Sequence, residues 1–192
     1  MQPKISLKWS LFILCAAGII FFTIIILFPI HSIRVLATGQ PVSAGIPLRL
    51  KIPSIRVDAA IEQVSLTAGG AMDVPTGPDN TAWYKLGPRP GEKGSAVIDG
   101  HSGWKNGIPA VFDNLNKLRK GDKIYVEDQA GVTFTFVVRE IRTYDPNADA
   151  GQVFYSKDNQ AHLNLITCEG AWNEITKSRS ERLVIFTDLL SV

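Results

Sequence analysis

From Leu48 onward the chain breaks into short runs of alternating apolar and polar positions, the period-two pattern of strands with one buried face. Leu48-Arg49-Leu50-Lys51-Ile52 is the clearest, and Ile55–Val64 continues it as a second piece. Thr81–Tyr84 and Ser95–Ile98 follow. Lys123–Asp128 and Val132–Thr143, joined by the turn Gln129-Ala130-Gly131, then predict a β-hairpin. Two further apolar runs close the series, one ending at Cys168 and one from Leu183 to Thr187. Gly, Pro and Asx residues punctuate the runs. One short helix is predicted near Pro109, within Gly107–Leu115, with Leu115 and Leu118 turned inward. Tyr144–Gln160 reads as a connection, a loop is expected to begin at Gly170 after the Cys168 run, and Asn173–Ser180 reads as a second loop. Many short strands with little helix predict a mostly β domain, a closed or nearly closed barrel or sandwich.

The first 47 residues follow a different pattern. Residues 1–10 carry Lys4 and Lys8 and no acid. Leu11–Phe28 is eighteen residues without a charge. As a helix it would rise about 27 Å, against a hydrocarbon core of about 30 Å. Residues 11–30 are therefore expected to form one transmembrane signal-anchor, with the lysines holding the N-terminus in the cytoplasm. A cleaved signal peptide is the rival, with Ala37-Thr38-Gly39 as its cut. Against it, the apolar region exceeds the roughly 7–15 residues usual for such a signal. Residues 31–47, mixing Pro, Gly, Ser and Gln, read as an exposed extracytoplasmic tether to a domain over 48–192.

Composition narrows the function. The 192 residues are 45% hydrophobic and 20% charged, with a formal net charge of +2 and no Lys/Arg cluster that would mark a nucleic-acid partner. Only two cysteines occur, Cys15 inside the anchor and Cys168 far downstream. A membrane-buried Cys15 cannot bring its Cα within roughly 7 Å of an external Cys168, so no disulfide is expected. An unpaired thiol outside the cytoplasm is a candidate reactive group, although a buried free cysteine is the commoner case.

Three strand ends carry the candidate chemistry. Leu163-Asn164-Leu165-Ile166-Thr167-Cys168 delivers a thiol, Ala96-Val97-Ile98-Asp99-Gly100-His101 delivers an imidazole, and Arg182 opens the last run. A thiol attacks as thiolate, a histidine can pair with it and protonate a leaving amine, and a guanidinium can stabilise an oxyanion. Each residue also has a plain reading: a loop histidine, or a surface arginine paired with Glu181 or Glu174. Trp104 and Trp172, just after the histidine and the cysteine, either wall a peptide groove or cap the barrel end.

Leu-Asn-Leu-Ile-Thr-Cys at 163–168, Gly-His at 100–101 and Arg-Leu-Val-Ile-Phe at 182–186 resemble the signature set of the sortases. Ile52-Pro53-Ser54-Ile55, Trp83-Tyr84 and Pro90-Gly91-Glu92-Lys93-Gly94 fall in the expected order before the histidine, and Pro109-Ala110-Val111-Phe112 after it. The Trp-Tyr, Leu-Gly-Pro-Arg-Pro-Gly and Pro-Ala-Val-Phe segments are most similar to class F. The resemblance implies an eight-stranded barrel with short helices on the outer face of a Gram-positive-type cell membrane. It implies a transpeptidase that cuts surface proteins at a C-terminal signal of the Leu-Pro-x-Thr-Gly kind, between Thr and Gly, and passes them to a peptidoglycan or other amine. Cys168 would be the nucleophile, His101 the acid/base and Arg182 the oxyanion support. Arg179 lies in the same loop, and register against Leu183-Val184-Ile185-Phe186 favours Arg182. Thr167, Trp104, Trp172 and Pro146 would meet substrate. No cofactor or metal is implied. Some relatives are stimulated by calcium, and Asp145, Asp149 and Asp158 could bind it, though solvated loop charges are the plainer reading. Three other readings stay open: a peptidase of the same architecture using water, a catalytically silent surface binding module, and a cleaved, secreted binding domain.

Overall fold

Eight strands close into a barrel in the order β1-β2-β3-β4-β7-β8-β6-β5, with β5 returning to β1. The computed structural model describes residues 43–175 and 178–192. The strands are β1 (Pro47–Ile52), β2 (Val57–Val64), β3 (Thr81–Tyr84), β4 (Gly94–Gly100), β5 (Lys123–Asp128), β6 (Thr133–Tyr144), β7 (Ala161–Asn173) and β8 (Ser178–Ser191). The pairs β2–β3 and β4–β7 are parallel and the rest antiparallel. Inward residues such as Leu50, Ile98, Ile124, Phe136, Leu165 and Ile185 are fully buried and fill the interior. A smaller cluster of Val97, Val153, Val184 and Phe186 packs on the outer face. It lies beneath α1 (Gly151–Phe154), a single turn within the connection from β6 to β7.

The structure departs from the pattern in four places. No helix starts at Pro109, because the Phe112 amide, the first that would bond within it, is taken by a distant carbonyl, as is that of Val111. Val111 N–H donates to Pro78 (2.8 Å) and Phe112 N–H to His101 (2.9 Å), leaving a 3-10 turn at Leu115–Lys117. The connection from β6 to β7 is not all irregular, since it contains α1. The expected loop beyond Gly170 is largely strand, with β7 and β8 continuing as a ribbon past a bulge between Glu169 and Trp172. Gly170 sits there with φ +81°, and a Cβ on it would lie 2.3 Å from Ser180 Oγ. The tether's last residues are held rather than exposed. Ala44 is buried, its carbonyl accepts from Arg89 Nη1 (3.0 Å), and Gly45 N–H donates to Asp128 Oδ2 (2.7 Å). The expected membrane span at 11–30 lies outside the described residues, among which no helix is long and apolar enough to cross a membrane.

Candidate active site

The parallel pairing of β4 with β7 brings two of the three chemical groups to one rim. Its register runs from Gly94 opposite Ala161 to Asp99 opposite Ile166, so both strands end on the same side of the barrel. Beyond that point side chains continue the join. Thr167 Oγ1 donates to the Gly100 carbonyl (2.7 Å), and Ser102 Oγ donates to the Cys168 carbonyl. His101 lies between these two anchors, held beside the Cys168 segment. Its Nε2 is 2.9 Å from the Pro75 carbonyl, an acceptor, so that nitrogen carries a proton and Nδ1 is the atom open to exchange. The ring packs on Trp104, with centroids 4.7 Å apart.

β8 runs antiparallel to β7 and passes this rim at Arg182. Arg182 is the register partner of Cys168, and directly opposed residues project to the same face. Thr167 and Leu183 are buried toward the barrel interior, so Cys168 and Arg182 point outward. Cys168 is half-buried. Burial pushes its thiol above the ordinary range; Arg182 pulls it down, Asp99 pushes it up, and Arg179 pulls it down. Arg182 Nη1 donates to the carbonyls of Glu181 (3.0 Å) and Arg179 (3.2 Å), and Arg179 Nη1 to that of Gly170 (2.9 Å).

A family model described as the sortase domain matches residues 50–190. The chain belongs to the sortase family. Solved structures of the family share the fold. Sortase C-1 from Actinomyces oris is 25% identical over 75% of this chain and 73% of its own, with a TM-score of 0.60. Sortase A from Corynebacterium diphtheriae is 24% identical over 78% of this chain and 63% of its own, also at 0.60. The Clostridium perfringens sortase D5 transpeptidase is 24% identical over 77% of this chain and 79% of its own, at 0.56. These are sortases of classes A, C and D. No curated protein sequence matches the chain.

Two clefts of this sortase barrel flank the Cys168–Arg182 pair. One, of about 80 Å³, is apolar and runs beneath the β6–β7 connection, with Arg182 at its edge beside Tyr144, Pro146, Phe154, Ile166 and Val184. The connection is tied down at two points. Asn164 Nδ2 donates to the Val153 carbonyl (2.6 Å), and His162 bridges Asp158 and Asp188 at 2.9 Å each. The other cleft, of about 310 Å³, is polar and includes Cys168, Ser102, Asp113, Asn116, Glu169 and Arg179.

The remaining sequence candidates separate. Pro146 lines the apolar cleft, and Trp104 packs on the histidine. Thr167 points into the barrel, so its side chain anchors β4 rather than facing a substrate. Trp172 is 52% exposed on the outlying ribbon, opposite Arg179, and lines neither cleft. Asp145, Asp149 and Asp158 each accept a backbone N–H two residues on, at 2.8–3.1 Å, and no group of three metal-ligating side chains occurs among the described residues.

One residue near the site escaped sequence reasoning. Asp99 lies on the outward face of β4, between inward Ile98 and buried Gly100, and faces Cys168 and Arg182 electrostatically. Burial pushes its carboxyl up to about 7, against the pull of the Gly100 N–H and of Arg182. The available signal was an acid at the end of the otherwise apolar run Ala96-Val97-Ile98.

Proposed function

We propose that this sortase is a membrane-anchored cysteine transpeptidase of class F type, acting on a Leu-Pro-x-Thr-Gly-like sorting signal outside the cytoplasm. The observation that carries the reading is the pairing of Cys168 with Arg182, beside a His101 held by Thr167 and Ser102 at the same rim. The Cys168 thiolate attacks the carbonyl carbon of the scissile Thr-Gly bond, and the oxyanion develops on the face Arg182 occupies. The C–N bond breaks, and His101 gives a proton to the departing amine. The acceptor amine then attacks the thioester, loses a proton to His101, and releases the thiolate. The apolar cleft under Pro146 receives the donor peptide, and Trp104 steadies the His101 ring. The segment at 11–30 anchors the chain with its N-terminus in the cytoplasm, and its partners are surface proteins bearing the signal and a cell-wall amine. No cofactor enters this chemistry.

The test is mass spectrometry of wild type and Cys168→Ala with sorting-signal peptides, with and without added amines. A Cys168-dependent thioacyl adduct that resolves onto the amine is the expected result. Hydrolysis alone, with every amine offered, would replace the transpeptidase by a peptidase. An unreactive Cys168 with no adduct would leave a binding module.

A further inference from the structure

Asp99 is an acid on the outer face of β4, one strand across from Ile166, which lines the apolar cleft. On the outer face it is flanked by Ala82 of β3 and Ile166 of β7. Ala82 is too short to cover it, and Ile166 belongs to the apolar cleft. The row continues through Val184 to Arg142, whose guanidinium is already engaged by Glu140 and Gln152. The cation facing Asp99 is Arg182, and Arg182 is also the partner of Cys168. Asp99 is half-buried, so its side chain beside Ile166 is not sealed from solvent.

Spacing fixes which part of a substrate meets it. Ile166 is two residues before Cys168 on the same face, so Asp99 stands one strand across and two places back. Strand geometry makes that roughly 8 Å between Cα atoms. An extended peptide covers the distance in about two or three residues, at about 3.3 Å each. The apolar cleft lies on this side of Cys168, and the polar one on the other.

We infer that Asp99 is a specificity residue of the donor groove, selecting a sorting signal with a basic side chain two or three residues before the scissile bond. A lysine or arginine there gives the carboxylate a charged hydrogen-bond partner inside a partly desolvated groove, whereas leucine leaves it unpartnered and glutamate opposes it. The inference rests on the transpeptidase reading, whose failure is told apart as follows.

The full-length chain in detergent is incubated with peptides in the Leu-Pro-x-Thr-Gly frame. Each of the four positions before the scissile bond is replaced in turn by Lys, Arg, Gln, Leu and Glu. Rates of Cys168 thioacylation are compared for wild type, Asp99→Asn and Asp99→Ala. The expected result is a preference for Lys or Arg over Glu at one position, about tenfold or more, that both variants lose. Equal slowing of every peptide by both variants, or an unchanged ranking, overturns the proposal and leaves the transpeptidase standing. No adduct with any peptide overturns the transpeptidase reading and the proposal together. The ranking rather than the absolute rate carries the result, so partial misfolding of one variant does not obscure it.

Discussion

Cys168 and Arg182 stand opposite each other across the β7–β8 ladder, both outside the barrel, with Arg182 the largest favourable charge acting on the thiol. Arg179 also acts on that thiol, more weakly. Removing Arg182 should push the thiol higher still. At fixed pH, Arg182→Ala is expected to slow alkylation of Cys168 by iodoacetamide and to lower kcat/KM by about 10²-fold or more. Arg179→Ala should do less in both assays; the opposite order would give Arg179 the oxyanion role.

His101→Ala removes the only imidazole at the rim among the described residues, the other described histidine being His162 on the outer face. Loss of kcat by about 10²–10⁴ is expected in steady-state turnover, the range for a single acid/base group. The far-UV circular dichroism should change little, because the ring contacts Trp104 and Pro75 rather than the core.

Gly100 explains why glycine precedes the histidine. A Cβ on it would stand 2.4 Å from the Phe112 ring, and Phe112 is 1% exposed, with little room to yield. Gly100→Ala should cost about 1–3 kcal/mol in urea unfolding, as overpacked cores do. Adding Phe112→Leu should recover part of the loss, and the absence of any recovery would place the strain elsewhere.

Asp99 makes stability depend on pH in a direction opposite to that of a salt-bridged acid. Its carboxyl is about 7 when folded and near 3.8 when exposed, so the folded chain holds a proton that the unfolded chain has released across that window. Stability from this group is full below about pH 4 and falls as pH rises toward 7, by on the order of a few kcal/mol at most. Asp99→Asn should flatten the decline, seen as a smaller change of urea midpoint between pH 4 and pH 8. A wild-type midpoint that rises over this window, with no difference in the variant, would contradict it.

How much of this could be read from the chain depended on what each segment bonds to. The strands ending at His101 and Cys168, and the one beginning near Arg182, were legible because barrel interiors impose a strict apolar face. Pro109 misled because its neighbours' amides bond to Pro78 and His101, partners no local pattern reveals. The ribbon beyond Glu169 was missed because both its faces are polar or exposed, leaving no alternation to detect. Trp172 could be a groove wall or a barrel cap by its closeness to Cys168 in sequence, and only the register shows that it stands on that ribbon opposite Arg179. Asp99 was visible as a residue and silent as a site, since only the register shows what lies beside it.

The division between ladder and connection has a consequence for how such a barrel diversifies. The thiol, imidazole and guanidinium are set by pairings among β4, β7 and β8, whereas one cleft wall belongs to the 145–160 connection and to α1. That connection can be lengthened, shortened or exchanged for another while its two ends stay where β6 and β7 leave them. Recognition can therefore drift, or be engineered by grafting, across a reaction centre whose spacing is inherited intact.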